Sequence, residues 1–124
     1  MKHGKGKFSL TDGSIYQGDF IMNLIQGKGI YIWCDNKKYQ GEWEDNTMQG
    51  QGLMTWPDGK QYTGQFDRGL RHGQGKLVYR DGREYEGSWV QGRQSGQGYY
   101  TDVAGRRRLG VWEDGKRKRW LDEA

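Results

Sequence analysis

A 23-residue period runs through this 124-residue chain and constrains its fold more than any other feature. Sliding the sequence on itself by 23 places aligns Tyr16, Tyr39, Tyr62 and Tyr85, then Gly18, Gly41, Gly64, Gly87 and Gly110, then Phe20, Trp43, Phe66, Trp89 and Trp112. The second half of each unit repeats too, with glycine pairs Gly4/Gly6, Gly27/Gly29, Gly50/Gly52, Gly73/Gly75 and Gly96/Gly98. Turns recur in phase at Asp12-Gly13, Asp35-Asn36, Asp58-Gly59 and Asp81-Gly82. A fixed period of this length marks a linear array whose units are stabilised by their neighbours.

Within each unit the period is two. Tyr16, Gly18 and Phe20 point one way, and Gly27, Gly29, Tyr31 and Trp33 do so across the turn, the alternation of half-buried strands. Asn23, Asn46, Gly69, Gly92 and Gly115 share a turn position suited to positive φ. Each repeat therefore reads as one β-hairpin, joined to the next by the Asp-Gly or Asp-Asn turn. The expected fold is all-β, an elongated single-layer antiparallel meander of stacked hairpins. About ten strands at roughly 4.8 Å spacing give a sheet about 50 Å long. Expected boundaries are a partial repeat over 1–15, repeats over 16–38, 39–61, 62–84 and 85–107, and a divergent half repeat or cap over 108–124.

Composition supports an unconventional core. The hydrophobic fraction is 32%, low for a compact globule, yet 14% of residues are aromatic, which disordered chains lack. All 22 glycines fall on repeat positions. A glycine inside a strand costs roughly 0.5 to 1 kcal/mol relative to alanine, so so many of them need a structural cause. The expected cause is that aromatic rings of neighbouring strands lie flat over bare glycine backbone.

The pattern resembles the MORN repeat, YEGEWxxGKxHGxGxxxxxDG, carried here as YTGQFDRGLRHGQGKLVYRDG from Tyr62 to Gly82. Four units begin at Tyr16, Tyr39, Tyr62 and Tyr85, with half units before and after. Departures are Asn36 for the turn glycine, Ala104 for the turn aspartate, Arg108 for the strand tyrosine, and Gln26, Gln49 and Ser95 for the common histidine. The resemblance implies a scaffold of cytoskeletal, ciliary or membrane-associated assemblies, or an array positioning the catalytic domain of a larger enzyme. Family members engage proteins and have been proposed to bind phospholipids.

Catalytic and cofactor chemistry finds no footing. GVWEDGKR, from Gly110 to Arg117, imitates a phosphate-binding loop but lacks the Ser or Thr after the lysine and the strand-to-helix context. The turn aspartates recur about 10 Å apart, too far to share a calcium ion bound at about 2.3 to 2.6 Å. His3 and His72 stand three units apart and converge neither with each other nor with Cys34. No cofactor, metal or small-molecule substrate is expected.

Two surfaces remain as candidates. Tyr16, Phe20, Trp33, Tyr39, Trp43, Trp56, Tyr62, Phe66, Tyr79, Tyr85, Trp89 and Trp112 form an aromatic stripe. Most of these rings are expected as core, and those left partly exposed would floor a trough for a partner helix or peptide. Edge strands offer a second place for a partner, including another copy of the chain. Arg106, Arg107, Arg108, Lys116, Arg117, Lys118 and Arg119 give a basic end that suits an anionic membrane surface. The net charge of +4 is concentrated there, and the near-neutral remainder speaks against nucleic acid. A choline-binding hairpin repeat, likewise rich in Trp, Tyr and Gly, would need an aromatic cage and a secreted setting. The lone Cys34, with no signal peptide in view, points instead to a reducing, cytoplasmic compartment.

Overall fold

The computed structural model describes residues 4–21 and 24–121. His3 and Asn23 lie outside them. The described residues form eleven strands: β1 (Gly4–Ser9), β2 (Ile15–Ile21), β3 (Leu24–Ile32), β4 (Lys38–Glu44), β5 (Thr47–Thr55), β6 (Gln61–Asp67), β7 (Leu70–Val78), β8 (Glu84–Val90), β9 (Arg93–Thr101), β10 (Arg107–Glu113) and β11 (Lys116–Trp120). They make one open sheet in sequence order, each strand antiparallel to the next. The hairpin meander expected from the period is the observed fold, and the divergent end contributes the eleventh strand.

Register explains the glycines. Gly6, Gly18, Gly29, Gly41, Gly52, Gly64, Gly75, Gly87, Gly98 and Gly110 pair in succession, forming a row of bare backbone that crosses ten strands. A Cβ on Gly29, Gly52, Gly75 or Gly98 would collide with the ring and hydroxyl of Tyr16, Tyr39, Tyr62 or Tyr85. Each tyrosine therefore lies over the glycine of the following strand, the device expected from composition. Its hydroxyl donates to the carbonyl three residues on, at 2.7 Å to Asp19 and 2.8 Å to Glu42, Gln65 and Ser88.

The ladder is interrupted once per repeat. After Gly18, Gly41, Gly64 and Gly87 the register shifts, so the longer strand bulges. At the bulge Gly27, Gly50, Gly73 and Gly96 hold φ of 76° to 87°, a backbone region open to glycine. The residue following the YxG glycine accepts the amide beside three of these bulges: Asp19 from Lys28, Glu42 from Gln51 and Gln65 from Gln74, at 3.2, 2.5 and 2.8 Å. Glu42 and its equivalents are thus part of the bulge.

The core is a zipper of rings on one face. Tyr39 meets Trp43 edge-on at 5.1 Å and Phe66 at 5.0 Å, and Tyr62 meets Phe66 at 5.1 Å and Trp89 at 5.3 Å. Tyr39, Tyr62 and Tyr85 so join the aromatic residue of their own unit to that of the next. At the far end Trp112 and Trp120 cover Gly110.

Candidate functional site

The aromatic stripe divides sharply by exposure. Tyr16, Tyr39, Tyr62 and Tyr85 are 0% exposed, and Phe20, Trp43, Phe66, Trp89 and Trp112 between 3% and 7%. These nine are consumed by each other and by the glycine ladder. Trp33, Trp56 and Tyr79 are half-buried and retain a face a partner could touch. They share one position beside the Asp turns. Each carries a cation from four residues on, Lys37, Lys60 and Arg83, at 4.7 Å from the ring centroid. Of the twelve rings of the stripe, most of them expected as core, three cation-capped ones are left at the rim.

Burial also sets the ionisation of the tyrosines. It pushes Tyr16, Tyr39, Tyr62 and Tyr85 up to about 12, because a phenolate loses its hydration there. Asp19 and Glu42 add to the effect at Tyr16 and Tyr39, whereas the Arg71 charge opposes it at Tyr62. Arg71 itself lies 4.7 Å from the Trp89 centroid, 5.7 Å from Trp56 and 5.9 Å from Tyr62, and donates from Nη2 to the Gly92 carbonyl at 3.0 Å. The cage that a quaternary amine would need among these rings is filled by the chain's own guanidinium.

The basic end is not a single patch. Arg107 pairs with Glu86 at 3.1 Å and lies 4.2 Å from the Tyr99 centroid. Arg108 and Arg117 both stack on Trp120, at 4.0 and 4.5 Å. Arg106 is exposed on the turn before β10, and its amide donates to Asp102 at 2.9 Å. Lys116, Lys118 and Arg119 are exposed on β11. Asp102, two residues before Ala104, supplies the carboxylate that the turn would otherwise lack.

A broad open concavity lies on the face opposite the rings. A groove of ≈ 1160 Å³ crosses β1 to β6. One wall is Lys5, Asp19, Lys28, Glu42 and Gln51, and the other is Lys7, Gln17, Ile30, Gln40, Leu53 and Thr63, with ladder glycines between them. These are the residues of opposite parity to Tyr and Trp. Their arrangement follows from the period of two, but the alternation alone gives no sign that the sheet is hollowed on this side.

The turns that lock repeats together explain two of the family departures, Gln26 and Gln49. Asn46, Gly69, Gly92 and Gly115 donate their amides to the carbonyls of Ile25, Met48, Arg71 and Gln94 in the preceding repeat. Beside them Gln26 accepts from Asp45 and Gln49 from Arg68, both at 3.0 Å, and His72 accepts at Nδ1 from Gln91 at 3.4 Å. Glutamine thus does the work of the common histidine, an acceptor for the next turn. Asn36, in place of the turn glycine, holds φ 73°.

Among the described residues no three His, Cys, Asp or Glu side chains gather as a metal site. Cys34 is exposed on a turn. Among the described residues no helix is long and apolar enough to cross a membrane.

One layer of hairpins with a self-buried ring face defines a linear β-repeat array. Family comparison matches MORN repeats at residues 1–15, 16–38, 39–61, 62–82 and 85–105, and the chain belongs to the MORN repeat family. These repeats are a non-enzymatic unit and are in general scaffolds for protein or membrane interaction. Among curated proteins none matches the sequence.

Proposed function

We propose that the chain is a non-catalytic scaffold that binds another protein, within a cytoplasmic assembly tied to the cytoskeleton, a cilium or a membrane surface. The groove over β1 to β6 carries this reading, because the ring face is spent on the core and the groove is the broad surface left for a partner. Affinity capture from a cell lysate with the wild-type array and with Gln40→Trp, each first checked for β structure, tests it. A reproducible partner lost with Gln40→Trp supports the groove; equal recovery with both, or none with either, removes it.

A second reading rests on β11. Lys116, Lys118 and Arg119 are exposed and take part in none of the ion pairs among the described residues. Such cations attract an anionic bilayer, and salt would screen that attraction. Sedimentation with phosphatidylserine vesicles in excess of phosphatidylcholine vesicles, abolished by salt, supports membrane tethering; equal sedimentation with both excludes it.

A further inference from the structure

Once per repeat the chain closes its Asp turn with the residue at one position. Leu10, Trp33, Trp56 and Tyr79 stand there, 23 residues apart, and each is fixed by the same two backbone bonds. Its amide donates to the carbonyl four residues on, at 2.8 to 2.9 Å, and its carbonyl accepts from the amide three residues on, at 2.9 to 3.0 Å. The repeated backbone presents the four side chains in the same way along one rim of the sheet. Trp33, Trp56 and Tyr79 pack against the core on one side and stay partly exposed on the other, and Leu10 is 41% exposed. The row stops at Asp102, which closes its turn with the same bonds but brings no apolar side chain.

The rhythm of this row selects the shape of what fits it. Successive members lie two strands apart, about 9.6 Å at the usual sheet spacing, so the four cover about 29 Å. A polyproline II helix has three residues per turn and rises about 3.1 Å per residue, which returns a side chain to the same side about every 9.3 Å. Ten residues in that conformation carry four such side chains over about 28 Å. An α-helix returns after two turns at about 10.5 Å and is about 3 Å out of step by the fourth member. An extended strand places neighbours on one face about 6.8 Å apart, out of step from the start.

Charge supplies the second half of the match. Lys37, Lys60 and Arg83 each lie 4.7 Å from the centroid of the ring four residues back, and a cation over a partly exposed ring is loosely held. Lys37 and Lys60 take part in none of the ion pairs among the described residues, whereas Arg83 already pairs with Asp81 at 2.8 Å. Asp35 and Asp58 accept the Lys37 and Lys60 amides, both at 2.9 Å. A carboxylate arriving at the rim would draw each lysine off its ring, pair with it and bare the ring to an apolar group in one movement. Between two successive turns the surface is already hollowed. A cleft of ≈ 520 Å³ lies among Asp58, Lys60, Tyr79, Arg80, Asp81 and Arg83, three cations against two acids, and the Arg80 side chain lies against the Gly59 turn.

We propose that this rim binds a proline-rich segment of a partner protein in the polyproline II conformation. A proline at every third position lies on Leu10, Trp33, Trp56 and Tyr79, and acidic residues at neighbouring positions pair with Lys37 and Lys60. Such a segment is ordered before it binds, so docking on separate rings costs it little conformational freedom. The site is separate from the groove, whose lining residues have the opposite parity, and it acts whether or not the groove is occupied.

The test uses fluorescein-labelled peptides of four triplets each, Pro-Pro-Glu, Pro-Pro-Lys and Gly-Gly-Glu, with binding to the full chain read by fluorescence anisotropy. The Pro-Pro-Glu peptide should bind at least ten-fold more tightly than either other. In NMR spectra it should shift the indole Nε1–H resonances of Trp33 and Trp56 and leave those of the buried Trp43 and Trp89 in place. Trp56→Leu, which keeps an apolar side chain on the core, should weaken binding about ten-fold, by the loss of one stacked ring. The Lys37→Glu, Lys60→Glu double variant, altered only at the rim, should turn the preference toward Pro-Pro-Lys. Gln40→Trp should bind Pro-Pro-Glu as the wild type does. Absence of Pro-Pro-Glu binding, equal binding of Gly-Gly-Glu, or an unchanged preference in the double variant overturns the proposal and leaves the groove to its own capture experiment. Binding abolished by Gln40→Trp overturns it as well, because the peptide would then lie in the groove.

Discussion

The ring of Tyr62 meets the ring of Trp89, 27 residues later, at a centroid distance of 5.3 Å and an interplanar angle of 87°. Because Trp89 also meets Tyr85 of its own unit at 5.2 Å, one side chain couples two repeats. A single hairpin is marginal alone, so the array's cooperativity resides in such shared rings.

Trp89→Ala removes both contacts, the Nε1 bond to the Gly75 carbonyl and the surface on which Arg71 lies. The expected cost is about 3 to 5 kcal/mol, with a broader urea transition as the two halves uncouple. Trp89→Phe should cost about 1 kcal/mol, because Phe20 and Phe66 hold the same position without a ring N–H. A Trp89→Ala transition as stable and sharp as wild type would refute the zipper.

Alkaline pH should unfold the array. The four core tyrosines have folded pKa values raised to about 12, against about 10 in the unfolded chain. The folded state holds these protons more tightly, so the associated stability is complete below pH 10 and is lost as pH rises from 10 to 12. Each tyrosine contributes about 2 to 3 kcal/mol to that loss. Urea midpoints measured from pH 9 to 12 should fall steeply, and Tyr62→Phe should flatten the slope by one proton. An unchanged slope would contradict burial of that phenol.

Two glycine substitutions separate space from backbone strain. Gly52→Ala sets a Cβ against the ring and hydroxyl of Tyr39. Displacing that ring should cost about 1 to 3 kcal/mol or more. Gly69 has φ 84° and nothing within 4 Å of where its Cβ would be. Asn46 holds φ 68° at the equivalent turn, so Gly69→Asn should be nearly neutral in thermal unfolding. A larger loss from Gly69→Asn than from Gly52→Ala would reverse the explanation.

Gln49 makes two bonds to the next turn, accepting from Arg68 and donating to Asp67 Oδ1 at 2.8 Å. Gln49→Ala should cost about 1 to 2 kcal/mol, and Gln49→His much less, since His72 fills the same role. Among the described residues no such bond joins Ser95 to Asp114. Ser95→Gln should therefore raise stability, by about 1 kcal/mol, in urea unfolding. Loss of stability in Ser95→Gln would show that the longer side chain cannot reach.

Much of the molecule was legible before any coordinates. Tyr16 and its equivalents announce the period, Gly29 and its equivalents announce where a ring must lie, and Asp12, Asp35, Asp58 and Asp81 announce the turns. Each of these is a local or nearest-neighbour requirement, and the repeat states it several times over. The candidate site was less legible. Trp43 and Trp89 look in sequence like Trp33 and Trp56, yet the former are buried and the latter half-buried, because only the former lie between two tyrosines.

The sequence by itself determined the hairpin unit, its stacking order and the ring-over-glycine core, since period, parity and turn chemistry act between residues close along the chain or one repeat apart. Only the tertiary structure decided which face stays open. The hollow over Ile30, Gln40 and Leu53 depends on how bulges shape the whole sheet, and the ion pair across that face further along depends on Arg107 reaching back 21 residues to Glu86. Curvature and long side-chain reach are properties of many strands together, so no single repeat spells them out.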